Sequence, residues 1–76
     1  MLDSYIKKAI ETGCTVKREA TEWANEQLRY RITKGNYSLL LRIVGGRVDH
    51  SLTNTKTNAN HYGQSASFNK LLAKMK

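Results

Sequence analysis

Residues 27–52 read QLRYRITKGNYSLLLRIVGGRVDHSL, and the period of this stretch decides the fold. Leu28, Tyr30 and Ile32 alternate with Arg29, Arg31 and Thr33, which is the two-residue period of a strand with one buried face. Tyr37 to Val44 repeats the pattern, with Tyr37, Leu39, Leu41 and Ile43 in phase. Arg47 to Leu52 places Val48, His50 and Leu52 on one side. Lys34-Gly35-Asn36 and Gly45-Gly46 separate the runs with residues that tolerate positive φ. The three runs read as a three-stranded antiparallel meander.

Upstream the period is helical. Leu2, Tyr5, Ile6, Ala9 and Ile10 form an i, i+3, i+4 stripe over Leu2–Thr12, with Asp3 or Ser4 as its cap and Gly13 as its end. A second helix is expected after Thr15, because Val16, Ala20, Trp23 and Ala24 fall on one side of it. Glu22 and Glu26 repel at i, i+4, so such a helix depends on Trp23 packing inward. Downstream, Thr53–Ala66 is rich in Thr and Asn and has only Tyr62 as a large apolar group. It reads as a mobile loop that orders on ligand binding through Lys56 and His61. Ser67 then caps a last helix with Phe68, Leu71, Leu72 and Met75 on its buried side. The expected fold is a small α+β domain covering residues 1–76, in the order α-α-β-β-β-α.

The charge is unevenly spread. The chain of 76 residues has 13 Lys and Arg against 6 Asp and Glu, a net +7. Residues 1–26 hold Lys7, Lys8, Lys17 and Arg18 against Asp3, Glu11, Glu19, Glu22 and Glu26. Every other basic group lies beyond Gln27, where Asp49 is the lone acid. Arg29, Arg31, Arg42 and Arg47 are all out of phase with the apolar face, so they share the opposite one. Like charges on neighbouring strands cost stability unless an anion is near, and guanidinium forks suit phosphate. This pattern points to a nucleic-acid-binding surface of Arg29, Arg31, Lys34, Arg42, Arg47, Lys56, His61, Lys70 and Lys74. Leu40 and Val44 lie on the same face as the arginines. They raise the alternative of a protein-binding module or inhibitor that docks on an acidic partner.

Catalysis is not expected. His50, His61 and Cys14 fit no zinc spacing, and the carboxylates are too scattered for an acid/base pair or a Mg²⁺ centre. No glycine-rich phosphate loop is present, so neither cofactor nor metal is implied. His50, in phase with Val48 and Leu52, reads as a satisfied, partly buried histidine. Cys14 reads as a small core residue and forms no internal disulfide. No apolar run is long enough to span a membrane, and Asp3 followed by Lys7-Lys8 does not resemble a signal peptide. The expected location is cytoplasmic.

Two resemblances bear on function. Ala9-Ile10-Glu11-Thr12-Gly13-Cys14-Thr15 resembles the core of a helix-turn-helix motif, although Glu19 stands where that motif needs an apolar residue. The order α-β-β-β-α with a basic last helix is similar to the layout of double-stranded-RNA-binding domains. Ser67-Phe68-Asn69 replaces that family's paired lysines, so no residue roles carry over.

Overall fold

The computed structural model describes residues 3–64 and 68–75, without the side chains of residues 61–64. Its elements are α1 (Asp3–Glu11), β1 (Thr15–Arg18), β2 (Glu26–Lys34), β3 (Tyr37–Val44), β4 (Arg47–Asn54), β5 (Asn60–Gln64) and α2 (Phe68–Lys74). The strands form one antiparallel sheet in the order β1-β2-β3-β4-β5, so each pairs only with its chain neighbours. The α+β class therefore holds, but the element order does not.

The three alternating runs are strands in the expected phase. Ile32, Leu39 and Leu52 lie side by side across β2, β3 and β4, and so do Tyr30, Leu41 and His50. Ile32, Leu39, Leu41, Leu52 and His50 are completely buried. This inner face is closed by Ala9 of α1, by Phe68, Leu71 and Leu72 of α2, and by Met75 just beyond it. The Tyr5 and Phe68 rings meet with centroids 4.6 Å apart, which joins the two helices over the sheet. Gly45 and Gly46 both have positive φ (56° and 78°), the pairing that a tight β3–β4 hairpin with right-handed twist needs.

The expected second helix is absent, and with it the helix-turn-helix resemblance. The reason lies at the end of α1. Gly13 sits at φ 87°; its amide donates to the Ile10 carbonyl, and the Cys14 amide donates to the Ala9 carbonyl, each at 3.0 Å. This is a Schellman cap, completed by apolar contact between the residue after the glycine and the third from the helix end. Cys14 is that residue, and it is buried in the core with Ala9. The cap delivers Thr15–Arg18 directly to the edge of β2, where Val16 lies opposite Ile32. The helical spacing of Val16, Ala20, Trp23 and Ala24 is thus incidental. Trp23 is 51% exposed and supports no core, contrary to what a second helix requires.

The Thr/Asn-rich stretch is not one long loop either. β4 runs on to Asn54, and the chain turns and returns as β5. The Asn54 side chain makes the turn by accepting the Lys56 and Thr57 amides at 3.0 and 3.3 Å, and Asn58 takes a φ of 60°. These are ordinary roles for Asn in turns. The expectation of a single Thr53–Ala66 loop is corrected for residues 53–64, which are strand and turn. Residues 65–67, including the expected Ser67 cap, lie outside the described part.

β2 holds one irregularity with large effect. Glu26 pairs with Val44 but Leu28 pairs with Ile43, so Gln27 is an extra residue, a β-bulge. Without it Glu26 would share the inner side with Leu28. With it, Glu26 turns to the outer side beside Arg29.

Candidate nucleic-acid interface

On the outer sheet face the register sets Arg29 opposite Arg42 and Arg31 opposite Leu40. Two facing guanidinium groups repel, so this arrangement needs anions, and the chain supplies them itself. After β1 the segment 19–25 crosses over this face. It is tied by the Glu19 amide to the Arg29 carbonyl at 3.0 Å and by the Gly45 amide to the Asn25 carbonyl at 3.1 Å. Glu26 grips Arg29 with both carboxylate oxygens, one of them 2.9 Å from Nη2. Glu22 approaches the same guanidinium at 3.4 Å from the solvent side. Arg31 donates to both oxygens of Glu19 at 3.2 and 3.3 Å, and to the Ser38 hydroxyl at 3.2 Å. Arg42 is paired with Asp49 and lies 4.1 Å beneath the centre of the Trp23 ring.

The expectation of four arginines facing a lone aspartate is therefore corrected. Arg29 and Arg42 are buried, and Arg31 is half-buried. The hydrogen bonds from Arg29 hold the Glu26 carboxyl below its ordinary range, and Glu26 in turn raises the Arg29 guanidinium. Three of the thirteen basic groups and four of the six acids are held in this network. It is slightly acidic as a unit. The other ten basic groups stand against Asp3 and Glu11 alone, a surplus of eight.

The structure divides the sequence-predicted site residues among three places. Arg29, Arg31 and Arg42 cluster on the outer face with Leu40 and Val44, both half-buried, and exposed Arg47 lies opposite Val44 at the sheet margin. Lys34 ends β2 beside the β2–β3 turn and Lys56 lies in the β4–β5 turn, and the Thr55 amide joins the two turns by donating to the Asn36 carbonyl at 2.7 Å. Lys34 also caps α1, its Nζ donating to the Thr12 carbonyl at 2.8 Å. Lys70 and Lys74 are exposed on α2, in the opposite layer. The His61 backbone pairs with Leu52, and its side chain is outside the described part.

Sequence reasoning missed Glu19, Glu22, Trp23 and Glu26 as members of this face. Its one available signal was the acid-rich run directly preceding an arginine-rich strand. His50 also differs from expectation: it is fully buried, edge-on to Phe68 at 5.9 Å, and neither ring nitrogen has a hydrogen-bond partner among the described residues. No group of three metal-binding side chains occurs among the described residues, and no helix there is long and apolar enough to cross a membrane. Comparison with protein-family models, curated proteins and solved structures finds no match for this chain.

Proposed function

We propose that this is a small, non-enzymatic, basic nucleic-acid-binding protein of accessory or regulatory kind. The observation that supports the reading is the charge left after pairing. Arg29, Arg31 and Arg42 are already countered, yet Lys7, Lys8, Lys17, Arg18, Lys34, Arg47, Lys56, Lys70 and Lys74 have no carboxylate partner among the described residues. Unpaired lysines on helices and turns attract a phosphate backbone without reading base sequence. In the free protein the first contacts thus fall to these unpaired groups, and the paired Arg29, Arg31 and Arg42 are secondary.

The test is a titration of labelled DNA and RNA at several salt concentrations. Log K should fall steeply with log salt, by roughly 0.9 per phosphate contact on duplex DNA. Lys70→Ala with Lys74→Ala, and separately Lys34→Ala with Lys56→Ala, should each lower that slope. Absence of binding at ~50 mM salt would overturn the reading.

A second reading is docking on a protein with an acidic surface. Its support is Leu40, half-buried on the outer face with Arg31 and Ser51 as its cross-strand neighbours. Leu40→Asp should abolish such docking and leave polyanion binding nearly unchanged.

A further inference from the structure

The arginine cluster under segment 19–25 carries an inference that rests on the nucleic-acid reading and extends it to regulation. We propose that this segment is an internal mimic of a nucleic-acid strand, which occupies a latent single-strand site until a real strand displaces it. The Glu19 and Glu22 carboxylates stand where phosphates would bind, and the Trp23 indole stands where a base would stack on Arg42.

Two observations favour a site built for more than the loop. Arg29, Arg31 and Arg42 stand together on the outer face of β2 and β3, where the strands themselves supply only Glu26 and Asp49 as partners among the described residues, so one cation is in excess until the segment adds Glu19 and Glu22. Arg42 is only 7% exposed, yet its Nε is buried and has no hydrogen-bond partner among the described residues. The loop leaves that donor unused. A phosphate oxygen, with lone pairs in several directions, can reach such a donor where the flat indole face cannot.

The hold of the loop on the sheet is weak in kind. All of residues 20–25 are exposed, so no buried apolar group anchors them. Glu22 is 71% exposed at 3.4 Å from its partner, and Glu19 is one-third exposed at 3.2 Å. Ion pairs this open to water change an equilibrium by at most about fivefold each. Backbone bonds pin Glu19, Trp23 and Asn25, the Trp23 carbonyl accepting from the Glu26 amide at 3.0 Å, so an outward swing of Ala20–Ala24 breaks one backbone bond and keeps the two at its ends. Glu26 and Asp49 stay behind because they belong to β2 and β4. Arg29 and Arg42 therefore keep a partner each, and the emptied site gains positive charge without becoming unstable. A guanidinium plane accepts any base, so the incoming strand is single and its sequence matters little.

The experiment compares two double variants with the wild type, using a fluorescein-labelled oligothymidylate as the probe. Glu19→Gln with Glu22→Gln loosens the mimic. Asp3→Asn with Glu11→Gln changes the net charge equally but lies on α1. The first pair should bind tenfold tighter or more, with a steeper salt dependence, and the α1 pair should gain less than about threefold. Glu22→Gln alone, at a side chain facing solvent, should give an intermediate gain and guards against misfolding of the double variant. Emission from Trp23, the only tryptophan, should change with the same midpoint as probe binding. Equal gains in both pairs, or none in the first, would overturn the proposal. If the wild type binds but Glu19→Gln with Glu22→Gln brings no gain, only the mimic falls. If no form binds at ~50 mM salt, the mimic and the nucleic-acid reading fall together.

Discussion

Arg42 lies 4.1 Å beneath the centre of the Trp23 ring, so the single tryptophan of this chain stacks on the outside of the sheet. A core tryptophan changed to alanine typically costs 3–5 kcal/mol, whereas an exposed cation–π pair is worth only about 0.5–1 kcal/mol. Trp23→Ala should therefore lower unfolding stability by about 1 kcal/mol in urea titration. A loss of about 3 kcal/mol or more would place the indole in the core.

Glu22 and Glu26 both contact Arg29, yet they should differ sharply. Glu26 is buried and grips the guanidinium with two oxygens, while Glu22 reaches it from solvent. Removing Glu26 leaves a buried cation short of its partner, the costly way to break an ion pair. Glu26→Gln should depress the thermal midpoint by roughly 5 °C or more, against a change of a degree or two for Glu22→Gln. Equal shifts would contradict the geometry.

His50 should make stability depend on pH below neutrality. Burial among apolar groups holds its imidazole below the ordinary value of 6.5, and the nearby Asp49 carboxylate opposes this only in part. As pH falls through about 6.5 the unfolded chain takes up a proton at this position and the folded chain does not. Stability is thus present above 6.5 and is lost as pH falls toward the folded value. The urea midpoint should drop between pH 7.5 and 5.5. In His50→Leu that drop should shrink, and an undiminished drop would clear His50 of the effect.

The Gln27 bulge can be tested by deletion. Gln27→Ala removes one exposed hydrogen bond, from the Gly46 amide to Oε1 at 2.9 Å, and should cost about 0.5–1 kcal/mol. Deleting Gln27 moves Glu26 to the inner face and takes its carboxylate from Arg29. The deleted chain should lose its cooperative thermal transition, and a retained transition would show that the bulge is dispensable.

What was legible in the sequence divides along physical lines. β2, β3 and β4 each bury one face and expose the other, so the alternation of Leu28, Tyr30 and Ile32 survives in the letters. β1 is an edge strand with Val16 as its only apolar residue, too few to show any period. β5 and its turn are written in Thr and Asn, which serve equally in strands, turns and loops. The phase of the arginines was readable, but their counterions were not. Glu19 meets Arg31 across twelve positions, through a crossing that no local pattern announces. The bulge at Gln27, which brings Glu26 to Arg29, is a register event between two strands and leaves no mark in either one alone.

The strictly sequential strand order has a kinetic consequence. Each of the four pairings closes a loop only as long as a hairpin or the short crossing between β1 and β2, so little chain entropy is spent before a contact forms. Sheets of this kind escape the long searches that slow Greek keys and parallel sheets, because the separation between touching residues stays small. Refolding from urea should follow a single exponential on a timescale nearer milliseconds than seconds. The missing proline removes the usual source of a slow minor phase. Any slow phase would then belong to docking of the two terminal helices onto an already registered sheet.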